Sequence, residues 1–311
     1  MPERTFQGAP LQEFEGQGRY RARGLSVHWL VTGANGMFGT DLRDVLAGHG
    51  YEVTGIGTAD CDIRDLDSVR AVVQGYDVVV NAAAWTAVDA AEAQEPAAFA
   101  VNAVGARNVA LAAREAGARM VQISTDYVFD GAATEPYRED APLAPRSAYG
   151  RTKAAGEHAV RESGGNHLIV RTAWLYGARG PCFPKTIARL ALTRDSLRVV
   201  DDQIGQPTWT VDVADLVVRL VEAGAPAGTY HATSAGAASK HLFAQAIVAA
   251  LGKDPAMVEP TTSETFVRPA PRPPYSVLGH EALERIGVEP IGPWQERWAL
   301  AAPSVLAELT A

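Results

Sequence analysis

The chain has little cysteine and little lysine, no long apolar run and no excess of positive charge. Two cysteines in 311 residues, Cys61 and Cys182, cannot build a disulfide framework. No His/Cys cluster has zinc-ligand spacing, and no Asn-x-Ser/Thr acceptor occurs. These absences predict a cytoplasmic protein. The longest apolar stretches, such as Val78-Val79-Val80 running into Ala82-Ala83-Ala84-Trp85, fall well short of the ~20 residues of a membrane helix, so no membrane partner is expected. Acidic residues outnumber basic ones 36 to 28 for a net charge of -8, which argues against nucleic acid as a partner. Only four basic residues are lysine, at positions 153, 185, 240 and 253. In a chain that uses arginine by default, each retained lysine is informative.

What is present is an alternation of short β-rich runs with Ala-rich helical stretches, beginning at Val27. That alternation predicts a parallel sheet with crossover helices. Strands are expected over 27–32, 51–56, 76–81, 119–124 and 167–172. Helices are expected over 38–47, 67–73, 96–116 and 148–161, with Gly48, Gly117 and Gly164 as C-terminal caps. Beyond about residue 175 the alternation weakens, and short helices over 185–192, 212–222, 239–251 and 294–309 are expected among loops. The fold class predicted is α/β, a Rossmann-type doubly wound parallel sheet with a smaller C-terminal substrate-binding subdomain. Residues 1–25 show no period and are expected to form a disordered arm. Residues 26–175 are expected to bind the dinucleotide, and 176–311 mainly the substrate, with some elements returning to the sheet.

Directly after the first strand comes Gly33-Ala34-Asn35-Gly36-Met37-Phe38-Gly39, a Gly-x-x-Gly-x-x-Gly turn that opens a helix. Gly33 permits the tight turn, Gly36 lets backbone N–H groups approach a pyrophosphate, and Gly39 lets helix pack on strand. The second strand lacks the acidic residue that would grip a ribose 2′-hydroxyl, which favours NADPH over NADH without excluding the latter. Asp62, next to Ile63, either reaches the adenine amino group or is the N-cap or a loop residue before the following helix.

Tyr149 and Lys153 stand at i and i+4, on one face of a helix. Upstream, the strand ending Ser124-Thr125-Asp126-Tyr127 places a hydroxyl at the carboxyl edge of the sheet, where ligands bind. A nearby ammonium is expected to lower the tyrosine pKa from about 10, making Tyr149 a general acid, with Thr125 holding the reacting oxygen.

These residues, together with Asn81-Ala82-Ala83-Ala84, Thr86-Ala87-Val88-Asp89, Asn102, Ser124 to Phe129, Arg171 to Gly177, Asp201 to Thr208 and Arg272-Pro273, resemble the extended short-chain dehydrogenase/reductases and, within them, the dTDP-4-dehydrorhamnose reductase family. The resemblance covers about residues 27–309. It implies NAD(P)H-dependent reduction of the C4 keto group of a dTDP-linked 4-keto-6-deoxyhexose, with Tyr149, Lys153 and Thr125 catalytic. Ala82, Ala83 and Ala84 would line the cofactor cleft, and Asn102 would support Lys153 through water or serve structure alone. Thr86, Val88, Asp126, Tyr127, Trp174, Gln203, Pro207 and Arg272 would contact the sugar nucleotide. Trp174 would be a wall for the sugar or simply pack the sheet. A homodimer is what the family suggests. Val211 stands where some members carry an interfacial metal-binding carboxylate, so no metal is expected.

Departures fall on the substrate side. Trp85, Cys182 and Tyr275 replace residues more usual in the family, which leaves open a related deoxysugar, such as the precursor of dTDP-dihydrostreptose. A non-catalytic dinucleotide-binding regulatory subunit is the alternative of another class. A dehydratase is disfavoured because Tyr127 follows Thr125-Asp126 where that reaction needs an additional acid.

Overall fold

The computed structural model describes residues 27–310. The arm expected over 1–25 lies outside the described residues. Five strands form where the alternation predicts them: β1 His28–Thr32, β2 Glu52–Ile56, β3 Val78–Asn81, β4 Arg119–Thr125 and β5 His167–Thr172. A sixth, β6 Gly228–His231, returns from the second half of the chain and pairs with β5. All pairings are parallel, in the order β6-β5-β4-β3-β1-β2. The chain reverses direction across the sheet between β1 and β3, and this switch point opens the ligand crevice at their carboxyl ends.

β3 is fully buried and reads Val-Val-Val-Asn, as a central parallel strand should. Its last residue starts a polar ladder across the sheet. Thr32 Oγ1 donates to Asn81 Oδ1 at 2.6 Å, and Asn81 Nδ2 donates to Gln122 Oε1 at 2.8 Å. Each buried amide thus finds a partner, which fixes the strand ends that the crevice is built on. One face of the sheet packs under helices Met37–Gly48 and Thr210–Glu222, and the other under Leu66–Val73 and Ala106–Glu115. A separate core, centred on Phe243, Trp294 and Trp298, joins helices Phe183–Thr193, Lys240–Ala250 and Trp294–Thr310.

The structure corrects three local expectations. The helix expected over 96–116 is split into Glu95–Phe99, a π-helical turn Ala100–Gly105, and Ala106–Glu115. Asn102, inside that turn, accepts from the Trp85 amide at 2.8 Å and donates to the Thr152 hydroxyl at 3.0 Å, which draws the wider turn toward the neighbouring helix. Gly48 is the last helical residue rather than a cap. Gly50, at φ 79°, takes the left-handed position, as Gly117 and Gly164 do for their helices. A six-residue helix, Val88–Ala93, forms where only a motif was read; it is too short to show a period.

Candidate active site

A cavity of about 1110 Å³ runs along the carboxyl edge of the sheet, from the β1 glycine turn past Tyr149 to Gln203 and Arg272. At its first end, Gly33 has φ 65°, and a Cβ there would lie 2.6 Å from the Ala83 backbone nitrogen. Only glycine fits both the conformation and the space. Gly36 is the N-cap of helix Met37–Gly48, and no side chain caps that helix. Its first N–H groups therefore open into the cavity as an anion cradle. Asn35, Met37, Phe38, Gly39, Asp62, Ile63, Ala82, Ala83 and Ala84 line the same end.

Asp62 accepts from Arg64 Nη2 at 2.7 Å, and the Arg64 hydrogen bonds hold its carboxyl down to about 2. It does not cap the next helix: Asp65 does, accepting from the Asp67 amide at 3.2 Å.

The middle of the cavity is the edge of β4 and helix Ala148–Glu162. Ser147 caps that helix by accepting from the Gly150 amide at 3.1 Å, which places Tyr149 and Lys153 in its first two turns. Lys153 is buried, and its Nζ donates to the Ile123 carbonyl at 2.6 Å. Burial drives its pKa down to about 8, opposed by Glu157.

Tyr149 does not acquire the depressed pKa expected of it. Burial pushes its phenol up to about 12, with the Thr125 hydroxyl pulling it back and the Asp126 charge adding to the rise. The expectation weighed the lysine charge and omitted desolvation. Thr125 Oγ1 in turn donates to Asp126 Oδ1 at 2.9 Å, and burial raises the Asp126 carboxyl above its ordinary value. The Tyr127 ring meets Tyr149 edge to face, with centroids 5.6 Å apart.

The far end carries Thr86, Val88, Trp174, Gln203 and Arg272. Arg272 Nη1 reaches Asp89 at 2.9 Å. Trp174 is the one non-glycine residue with positive φ among the described residues, at 45°. Such strain persists only where the surroundings enforce it, and it clusters at ligand sites.

Two predicted residues are not on the cavity wall. Asn102 spends its side chain on Trp85 and Thr152, and among the described residues it makes no direct hydrogen bond to Lys153. Pro207 is buried between two-residue strands, Ile204–Gly205 and Thr208–Trp209. Conversely, Ile56, Gly57, Thr58, Arg64, Trp85 and Lys240 line the cavity without having been singled out as site residues from the sequence. Lys240 carried a faint signal as one of four lysines, but it lies 87 positions after Lys153 with no motif around it.

The cavity thus joins an anion cradle, a row of small residues, a Thr/Tyr/Lys constellation and a polar far end. Comparison with known proteins gives a consistent picture. Residues 27–307 match the family described as RmlD substrate binding domain. The chain is 48% identical over 284 residues to a dTDP-4-dehydrorhamnose reductase of Streptomyces griseus, covering 89% of this chain and 93% of that one. It is 47% identical to a dTDP-4-keto-6-deoxy-D-glucose reductase of Streptomyces niveus, covering 91% and 99%. A crystal structure of dTDP-4-dehydrorhamnose reductase from Bacillus anthracis in complex with NADP superposes with TM-score 0.86 at 37% identity, over 89% of this chain and 99% of that one.

Proposed function

The chain belongs to the RmlD substrate-binding-domain family, and on that premise we propose that it is an NADPH-dependent reductase of the C4 keto group of a dTDP-linked 4-keto-6-deoxyhexose, converting dTDP-4-dehydrorhamnose to dTDP-L-rhamnose. The observation that carries this reading is the placement of Thr125, Tyr149 and Lys153 midway along one cavity, between the glycine cradle and the Gln203/Arg272 end. The cradle fits a dinucleotide because its glycines leave the helix N-terminus bare of side chains toward the cavity. Gly33, Gly36, Ala82 and Ala83 would hold NADPH there, and when bound its reduced nicotinamide supplies the hydride.

The chain's own residues supply the proton and the fixed charge. With a pKa near 12, Tyr149 is protonated at neutral pH and donates that proton as oxyanion character develops at C4. Thr125, positioned by the Tyr127 amide and by Asp126, orients the same oxygen. The Lys153 ammonium stabilises the phenolate left behind.

The near-equal identity to the Streptomyces niveus enzyme favours a second reading, reduction of a related antibiotic deoxysugar by the same chemistry. Mixing the protein with NADPH and a panel of dTDP-4-keto sugars, followed by NMR of the products, separates the two by the configuration at C4. Absence of NADPH oxidation with every such sugar overturns the reductase reading. A homodimer and a cytoplasmic location belong to the same proposal; the native mass in solution checks the first, and fractionation of the source cells the second.

A further inference from the structure

Four cationic side chains line the cavity: Arg64, Lys153, Lys240 and Arg272. Three have oxygen partners. Arg64 pairs with Asp62, Lys153 donates to the Ile123 carbonyl, and Arg272 pairs with Asp89. The Lys240 ammonium has neither a hydrogen bond nor an ion pair among the described residues. It rests on two rings, 3.3 Å from the centroid of Trp174 and 4.8 Å from that of Phe183. The rings provide cation–π attraction but take up none of its three N–H donors. Lys240 is partly exposed to the cavity, so those donors are open to a ligand oxygen.

A second observation is independent of the first. Lys240 is the first residue of helix Lys240–Ala250, where the helix dipole disfavours a cation. Ser239 caps the helix, and the Lys240 amide donates to the Gln203 carbonyl at 3.2 Å, so the position is held firmly. A cation at a helix N-terminus breaks a local stability rule, a pattern found at functional sites.

The surroundings show which oxygen the ammonium meets. The charge that attracts Lys240 is the buried Asp126 carboxyl, and Asp126 is hydrogen bonded to Thr125, which contacts Tyr149. Lys240 therefore sits where the far end of the cavity meets the Thr125/Tyr149 centre. Its charge and that of Asp126 are opposite and offset one another without direct contact, an environment suited to a neutral hydroxyl rather than to a diphosphate. We propose that Lys240 is a specificity-determining residue that donates a hydrogen bond to a sugar hydroxyl beside the reacting carbonyl, so that the site selects an oxygenated 4-keto sugar over its deoxy analogue. This rests on the reductase reading above. Burial that lowers the lysine pKa to about 7 is in keeping with an ammonium that depends on a ligand oxygen for its charged form.

The test uses the full chain, NADPH, and dTDP-4-dehydrorhamnose beside analogues lacking the C2 or the C3 hydroxyl. For the wild-type chain we expect kcat/KM to favour the hydroxylated sugar over one analogue by about 10²-fold or more, as for sites built to bind a hydroxyl. Lys240→Met, which keeps the side chain between the rings, should cut that preference to within about threefold, mainly by slowing the hydroxylated sugar. Lys240→Arg, which keeps the donors, should retain part of it. NADPH affinity, measured alongside, reports whether each variant is folded. Preference surviving in Lys240→Met overturns the proposal. So does an equal loss for all three sugars together with weakened binding of dTDP alone, which would assign Lys240 to the diphosphate. No turnover of any sugar by the wild-type chain would instead overturn the reductase reading, and this proposal with it.

Discussion

Glu157 and Lys153 lie one turn apart on the same helix, both buried, and the fold treats them in opposite ways. Glu157 is saturated: Ser124 Oγ donates to it at 2.6 Å, Arg171 donates twice at 2.8 Å, and Arg161 once at 2.8 Å. Although burial pushes its carboxyl up, these partners hold it below the usual carboxylate range. On the cavity side, Lys153 has one carbonyl, Asp126 has hydroxyls, and Lys240 has two rings. The same β4 edge thus divides a closed polar network that fixes packing from an open one whose groups are left under-partnered. Under-partnered buried charges mark the side where a ligand completes the structure.

Four perturbations sharpen that contrast, in falling order of expected effect. Tyr149→Phe removes the proton donor and should lower kcat by about 10²–10⁴-fold while NADPH affinity changes little; steady-state kinetics with a separate binding titration checks this, and near-wild-type turnover would remove Tyr149 as the acid. Glu157→Gln breaks the closed network and leaves Arg171 with an uncompensated buried charge, so stability in urea unfolding should fall by about 3–5 kcal/mol. A loss under about 1 kcal/mol would show the network to be dispensable.

Gly33→Ala puts a methyl against the Ala83 backbone and forces a left-handed alanine, for roughly 1–2 kcal/mol of strain before any clash. NADPH binding by calorimetry should weaken about tenfold or more, and unchanged affinity would mean that the cradle does not hold the cofactor. The smallest effect is on pH dependence. Lys153 and Lys240 titrate near 8 and 7 in the fold but near 10.4 when unfolded. Their burial cost is fully present below pH 7. As pH rises through 7–8 the folded chain releases protons that the unfolded chain keeps, so their contribution to stability rises toward pH 10. Urea unfolding at pH 6.5 and at pH 7.5 should show wild type gaining on a Lys153→Met/Lys240→Met variant at the higher pH, by under about 1 kcal/mol. A gap that stays constant would mean that the two ammoniums are solvated.

The central sheet and the glycine cradle were legible in the sequence because local rules and the global fold agree there. β3 reads as one buried apolar run ending in Asn81, and the Gly33 turn stands between a strand and a helix. The Tyr149/Lys153 pair was legible for the same reason, a fixed spacing on one helix face. The rest depended on contacts distant in the chain. Asn102 holds Trp85 and Thr152 with its side chain, partners 17 and 50 positions away that no local pattern reveals. Lys240 entered the site only because its short strand Ala238–Ser239 pairs with Ile204–Gly205 and brings the helix N-terminus beside Trp174. The tyrosine pKa was misjudged because burial is a tertiary quantity that spacing does not report.

The most direct test of the account follows the hydride itself. With NADPH carrying deuterium at the transferred position and a dTDP-4-keto-6-deoxyhexose, the account predicts deuterium at C4 of the product sugar for wild type and a trace for Tyr149→Phe. Deuterium at any other carbon, or NADPH consumed without label reaching the sugar, would contradict it.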